Sequence, residues 1–111
     1  MYGFATDETP DLMPAPIRYA HRLAKQLHET RSNNTLPYLR PDGKTQVTIE
    51  YDAQGKVKRI HTIVLSTQHA PDVTQAQLHA DIKKQVILPI AGELMDADTI
   101  LHINPTGNFV I

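Results

Sequence analysis

Cysteine is missing from the 111-residue chain altogether. That excludes a disulfide frame and a thiolate metal site. An excess of one charge is missing too. The formal net charge of −1 gives no general attraction to nucleic acid or to an anionic membrane, so any phosphate ligand must be held by local groups. No apolar run approaches the ~18 residues that span a bilayer. The N-terminus lacks the basic-then-apolar shape of a signal peptide, and cytoplasmic residence is the default expectation. No internal repeat or low-complexity segment is visible. What is present fits one domain, residues 1–111, with 41% hydrophobic residues supplying a modest core. At this size folding buries only ~60–70% of the extended-chain surface, so marginal stability is expected without partners.

The stretch Leu36–Tyr51 organises the rest. It starts as a proline-punctuated loop, with a turn expected at Pro41-Asp42-Gly43, where proline presets φ and glycine accepts φ > 0. From Thr45 it becomes a strand, with Val47, Ile49 and Tyr51 on one face and Gln46, Thr48 and Glu50 on the other. Asp42 and Lys44 therefore sit together at the mouth of a strand, a position from which scaffolds contact ligands. On the residues alone, a solvated surface turn is the plainer reading.

The flanking segments follow the same rules. Tyr2–Thr6 alternates aromatic and small residues and can form a short strand. Asp7-Glu8-Thr9-Pro10-Asp11 is an acidic loop, and without a third, spaced ligand such a cluster is more often solvated than cation-bound. Pro14 and Pro16 introduce a helix with Ile17, Ala20, Leu23, Ala24 and Leu27 as its apolar stripe. His21 and His28 stand seven apart, where a metal pair prefers four and a third ligand. They read as exposed or boundary histidines, and no metal ligand is assigned in the chain. Ser32-Asn33-Asn34 ends this helix.

Asp52-Ala53-Gln54-Gly55 is a tight connection, after which Lys56–Ser66 returns as a strand, giving an antiparallel hairpin. Its continuous apolar centre, Ile60–Leu65, suggests cover on both faces. Thr74-Gln75-Ala76-Gln77 reads as a capping box for a helix with Leu78, Ile82, Val86 and Ile90 inward, stopped by Pro89 and Gly92. Thr99–Asn104 is a strand, Pro105-Thr106-Gly107 a turn, and Asn108–Ile111 the start of another strand. The order β-α-β-β-α-β predicts an α+β two-layer sandwich, a mixed sheet with two helices on one face.

Four segments carry a resemblance. They are Met1-Tyr2-Gly3-Phe4-Ala5-Thr6-Asp7-Glu8-Thr9 with Leu12-Met13-Pro14, then Leu36 to Thr48, then His61 to His69, and last Ile103 to Ile111. In this order and wording the chain resembles the central domain of S-adenosylmethionine synthetase (methionine adenosyltransferase). Tyr38 stands where the family has Trp, and Asn108 where it has Arg. The family's Gly-Asp-Gln-Gly run before the position of Met1 and its glycine-rich run after Ile111 are missing. The chain is therefore expected to be a fragment of a longer three-domain protein.

The resemblance implies a function and a site. The family joins ATP and L-methionine: the methionine sulfur attacks the 5′ carbon of ATP, triphosphate leaves, and the enzyme hydrolyses it. The family's ATP-contacting Asp-x-Lys falls on Asp42, Gly43 and Lys44, with Lys44 the cationic, catalytic partner of triphosphate oxygens. Asp42 is expected to accept a ribose hydrogen bond or orient Lys44, and Gly43 to let the backbone come close. The family's Arg-Phe nucleotide pair falls on Asn108 and Phe109, with Phe109 offering a stacking face to adenine or, as the alternative, serving as a core aromatic. His69 matches no catalytic motif and reads as structural or interfacial. Mg2+ and K+ are implied as cofactors, with their ligands outside this chain. The implied partners are the N- and C-terminal domains and a second subunit, in a homodimer or homotetramer. A non-catalytic module that binds nucleotide weakly, or pairs with a full-length subunit, is the alternative function.

Overall fold

The structure, a computed structural model, describes residues 1–110. Its first helix, α1, runs Ala15–Ser32 with Pro14 at the N-cap and a proline in the first turn, where a missing N–H leaves no intrahelical bond unmade. The buried face is Ala15, Tyr19, Leu23, Leu27 and Thr30, one residue per turn. This shifts the expected stripe: Ile17 is exposed and Tyr19 takes its place. Tyr19 can go inside because its polar tip is satisfied. Its hydroxyl donates to Glu93 at 3.1 Å, and the Arg18 and Arg22 guanidiniums lie 5.9 and 5.7 Å from the ring centre, a favourable approach to an aromatic face.

Strands β1 (Leu39–Tyr51) and β2 (Val57–His69) form the antiparallel hairpin. Asp52 closes it with its side-chain Oδ1, which accepts from the Gln54 and Lys56 amides at 2.9 Å each, while Gly55 takes φ +79°. Strand β3 (Ile100–Ile103) joins the other side of β2 in parallel, giving the order β1-β2-β3. The expected cover on both faces of β2 is not found. Thr48 opposes Thr62 but Ile49 opposes Ile60, so His61 is an extra residue. This bulge turns both Ile60 and Ile63 inward, to 0% exposure, and the strand alternates from there. Within the described residues, the continuous apolar run thus has only one face covered.

The second helical layer starts at Thr74, whose hydroxyl caps the Gln77 amide at 3.1 Å. Helix α2 (Gln75–Ile82) passes into a π-helical segment, Lys83–Ile87, and then into α3 (Leu88–Ala91). Pro89 therefore does not end the helix. It has no N–H to give to the carbonyl four residues back, and the wider π turn accommodates it. The deprived carbonyl, Gln85 O, instead accepts from Gln26 Nε2 of α1 at 3.0 Å. Leu78, Ile82, Val86 and Ile87 face the core shared with Leu23, Ile63 and Leu65.

The fold is α+β, a mixed sheet with two helical segments. Two expected strands are not formed. At Tyr2–Thr6 no strand is present to pair with among the described residues, and Tyr2 and Phe4 are exposed. Alternation of side chains cannot substitute for ladder partners. At Asn108–Val110 the chain has left the ladder, because Asn104 at φ +44° and Gly107 at φ +96° turn it aside; Ile111 lies outside the described residues. Among the described residues, no helix is long and apolar enough to cross a membrane.

Candidate functional site

The residues singled out from the sequence fall into two segments, and the C-terminal end of β2 holds both. On one side, β1 pairs Leu39 with His69 and Gly43 with Thr67. Four steps along β1 match two along β2, so Arg40–Asp42 bulge out of the ladder. The expected turn at Pro41-Asp42-Gly43 is thus a bulge within an edge strand. Pro41 has no amide for the ladder, and edge strands and bulges are where sheets admit proline. The turn itself lies earlier, at Pro37-Tyr38, closed by the Leu39 amide donating to Leu36 O at 3.2 Å.

Gly43 is not at positive φ. A Cβ there would stand 2.8 Å from Leu27 Cδ2 and 3.4 Å from Ser66 O. A side chain at this position would have to push the end of the Leu27 side chain aside, because β1 passes close beneath α1. Thr45, two residues on, points the same way and donates to Ala20 O at 2.7 Å. Lys44 therefore points to the opposite face, the one the helices leave open, opposite Ser66. Asp42, Gly43 and Lys44 are all exposed. Among the described residues neither Asp42 nor Lys44 makes an ion pair.

On the other side of β2, side chains extend the sheet where the ladder has ended. The Asn104 amide group brackets Thr67, accepting from its N–H at 2.8 Å and donating to its carbonyl at 3.0 Å. The next bonds are made by His69. Its amide donates to Phe109 O at 2.9 Å, and the Phe109 amide donates to His69 Nε2 at 3.1 Å. Asn108 Oδ1 accepts from Gln75 Nε2 at 2.7 Å. Phe109 is half-buried and outside the hydrophobic core. The backbones of the two segments thus flank β2 on opposite sides.

Two further features adjoin these segments. An open groove of about 400 Å³ is lined by Tyr38, Arg40, Ala70, Asp72 and Gln77 among others. Tyr38 closes one side of it, its hydroxyl donating to Asp81 Oδ2 at 2.7 Å. Burial, and then that bond and the Asp81 charge, push the phenol above its ordinary value. Among the described residues no three or more His, Cys, Asp or Glu side chains gather to hold a metal ion.

Sequence reasoning did not foresee Asn104 and Gln75 as supports of the Phe109 segment, and read His69 as structural or interfacial without naming what it holds. Each bond joins positions more than thirty apart, so no local spacing signals it. The one available hint was that Asn, unlike most residues, tolerates left-handed backbone.

Two comparisons bear on the family of the chain. The family model described as S-adenosylmethionine synthetase, central domain, matches residues 1–109. A curated S-adenosylmethionine synthase from Desulfosudis oleivorans is 60% identical over 112 aligned residues, covering 100% of this chain. The chain spans 29% of the length of that relative. On its sequence, its fold and these matches, the chain belongs to the S-adenosylmethionine synthetase family, as a member of the central-domain group.

Proposed function

We propose that this chain supplies part of the ATP site for synthesis of S-adenosylmethionine from ATP and L-methionine, followed by hydrolysis of the triphosphate. What carries the reading is that β2 holds the Asp42–Lys44 and Asn108–Phe109 segments on its two sides, at the same end. Displacement at the 5′ carbon needs sulfur, carbon and leaving oxygen in line, and it needs positive charge where the polyanion departs. Lys44 is exposed and free of an ion pair among the described residues. It answers the second need, since an ammonium meets phosphate as a compact point charge. Asp42 accepts from the ribose, Gly43 keeps the strand close under α1, and Phe109 stacks on adenine, a contact worth roughly 1–3 kcal/mol.

Magnesium and potassium would neutralise the triphosphate further. Their ligands would come from the other domains. The activity needs the N- and C-terminal domains and a second subunit. The chain alone, given ATP, methionine, magnesium and potassium, makes no S-adenosylmethionine, and product from the pure chain would overturn that.

A second reading, a non-catalytic module with weak nucleotide affinity, draws on Asn108. It has neither the charge nor the planar fork of the family's arginine, and its oxygen is already engaged by Gln75.

Titration of the isotope-labelled chain with ATP and magnesium tests the site. Amide shifts centred on Asp42–Lys44 and Asn108–Phe109, lost in Lys44→Ala, are expected. Shifts elsewhere, or none at millimolar ATP, would mean that these residues form no site in the chain itself.

A further inference from the structure

His69 is 1% exposed and closes one of the segments shared with the family, yet it matches no catalytic motif there. Its ring makes two hydrogen bonds, and together they define its state. Nδ1 lies 2.8 Å from Ala70 O. A carbonyl only accepts, so Nδ1 carries the proton. Nε2 lies 3.1 Å from the Phe109 amide. An amide only donates, so Nε2 carries a lone pair. The ring is therefore the neutral Nδ1–H tautomer.

Its main-chain amide meanwhile donates to Phe109 O at 2.9 Å. One residue thus takes both polar groups of the Phe109 backbone, the amide with its ring and the carbonyl with its main chain. An ordinary β ladder cannot do this here, because Asn104 and Gly107 have turned the chain off β2. Neither main-chain nor side-chain bonds from any other described residue hold the Phe109 backbone. The ring in turn is fixed by burial and by Ala70 O, and the Ala70 amide donates to Tyr38 O at 2.8 Å. The same two residues of β2 and its exit therefore tie the start of β1 to the Phe109 segment.

We propose that His69 is a positioning residue: its neutral, Nδ1-protonated ring sets where Phe109 stands relative to β1, and so sets the stacking face offered to the base of a nucleotide. The nucleotide half of this rests on the function proposed above. The bond itself does not. Replacing Nε2 by an apolar group leaves the Phe109 amide without its partner, whereas a glutamine side-chain oxygen reaches about as far as Nε2 and can accept the same proton.

The test has two independent readouts on the 111-residue chain. In wild type, nuclear magnetic resonance should detect scalar coupling across the hydrogen bond between the Phe109 amide nitrogen and His69 Nε2, together with the shifts of the Nδ1–H tautomer. The opposite tautomer or absent coupling overturns the proposal, and this reading needs no variant. In the second readout, ATP with magnesium is titrated into wild type, His69→Leu, His69→Gln and Phe109→Ala. The expected pattern is roughly tenfold weaker binding in His69→Leu, the magnitude of one unmade buried bond, with His69→Gln within about threefold of wild type. Weak binding in both His69 variants overturns positioning through the acceptor, as does wild-type affinity in His69→Leu. Wild-type affinity in Phe109→Ala brings down the nucleotide reading instead, and the coupling then decides whether the clamp itself exists.

Discussion

Tyr38 donates a 2.7 Å hydrogen bond to Asp81 Oδ2, joining the turn before β1 to α2 across 43 positions of sequence. Tyrosine occupies the place where the family carries tryptophan, and its hydroxyl has found a carboxylate on the neighbouring helix. The bond also walls the groove that opens beside Arg40 and Gln77. Tyr38→Phe keeps the ring and removes the donor. Its expected cost is about 1.5 kcal/mol, the scale of a bond to a charged group, read as a lower urea midpoint with an unchanged slope.

Gly43 passes so close to Leu27 that a single methyl group must displace it. Gly43→Ala should destabilise the chain by about 1–2 kcal/mol through overpacking. The contact predicts more than the cost. In the pair Gly43→Ala with Leu27→Ala, the second change removes the obstacle, so the double variant should lose about 1 kcal/mol less than the sum of the single losses. Strict additivity would show that the requirement at Gly43 is not this contact.

The carbonyl orphaned by Pro89 is satisfied by Gln26 from another helix. Gln26→Ala should therefore cost about 1 kcal/mol. In that background Pro89→Ala restores an amide that can reach Gln85 O, and should recover part of the loss. Hydrogen exchange along Lys83–Ala91 reports whether the π turn relaxes to regular helix.

Asp96 accepts two bonds from Arg59, at 2.7 and 2.9 Å. These bonds hold its carboxyl down at about 2, against an ordinary value of 3.8. A depressed folded value means stability that is complete above the ordinary value and is lost as pH falls from there through about 2. The urea midpoint should drop over that window in wild type. In Asp96→Asn the drop should be shallower, with little difference in slope between the two proteins at neutral pH.

At Asn108 the family's arginine is replaced by a neutral amide. If the site is as proposed, Asn108→Arg restores a charge-assisted donor. ATP affinity should then rise by about fivefold, the difference between a charged and a neutral hydrogen bond. The gain should shrink as salt is added. No gain at low salt would place the nucleotide elsewhere.

The sequence by itself determined the hairpin, the helix starts and the family. Asp52 to Gly55 needs only local turn chemistry, and Thr74 needs only the amide three residues on. Wherever the outcome depended on which neighbour arrived, local pattern failed. The alternating run Tyr2–Thr6 found no ladder partner among the described residues. Pro89 did not stop its helix, because Gln26 of another element took over the stranded carbonyl. Ile60 and Ile63 share a face only through the bulge at His61. The candidate site divides in the same way. Asp42, Gly43, Lys44, Asn108 and Phe109 were legible as wording. That β2 gathers them at one end, that Gly43 lies against Leu27 without a positive φ, and that His69 grips the Phe109 backbone were decided by tertiary structure. Hydrogen bonds and close contacts between positions far apart in sequence leave no period or spacing to read.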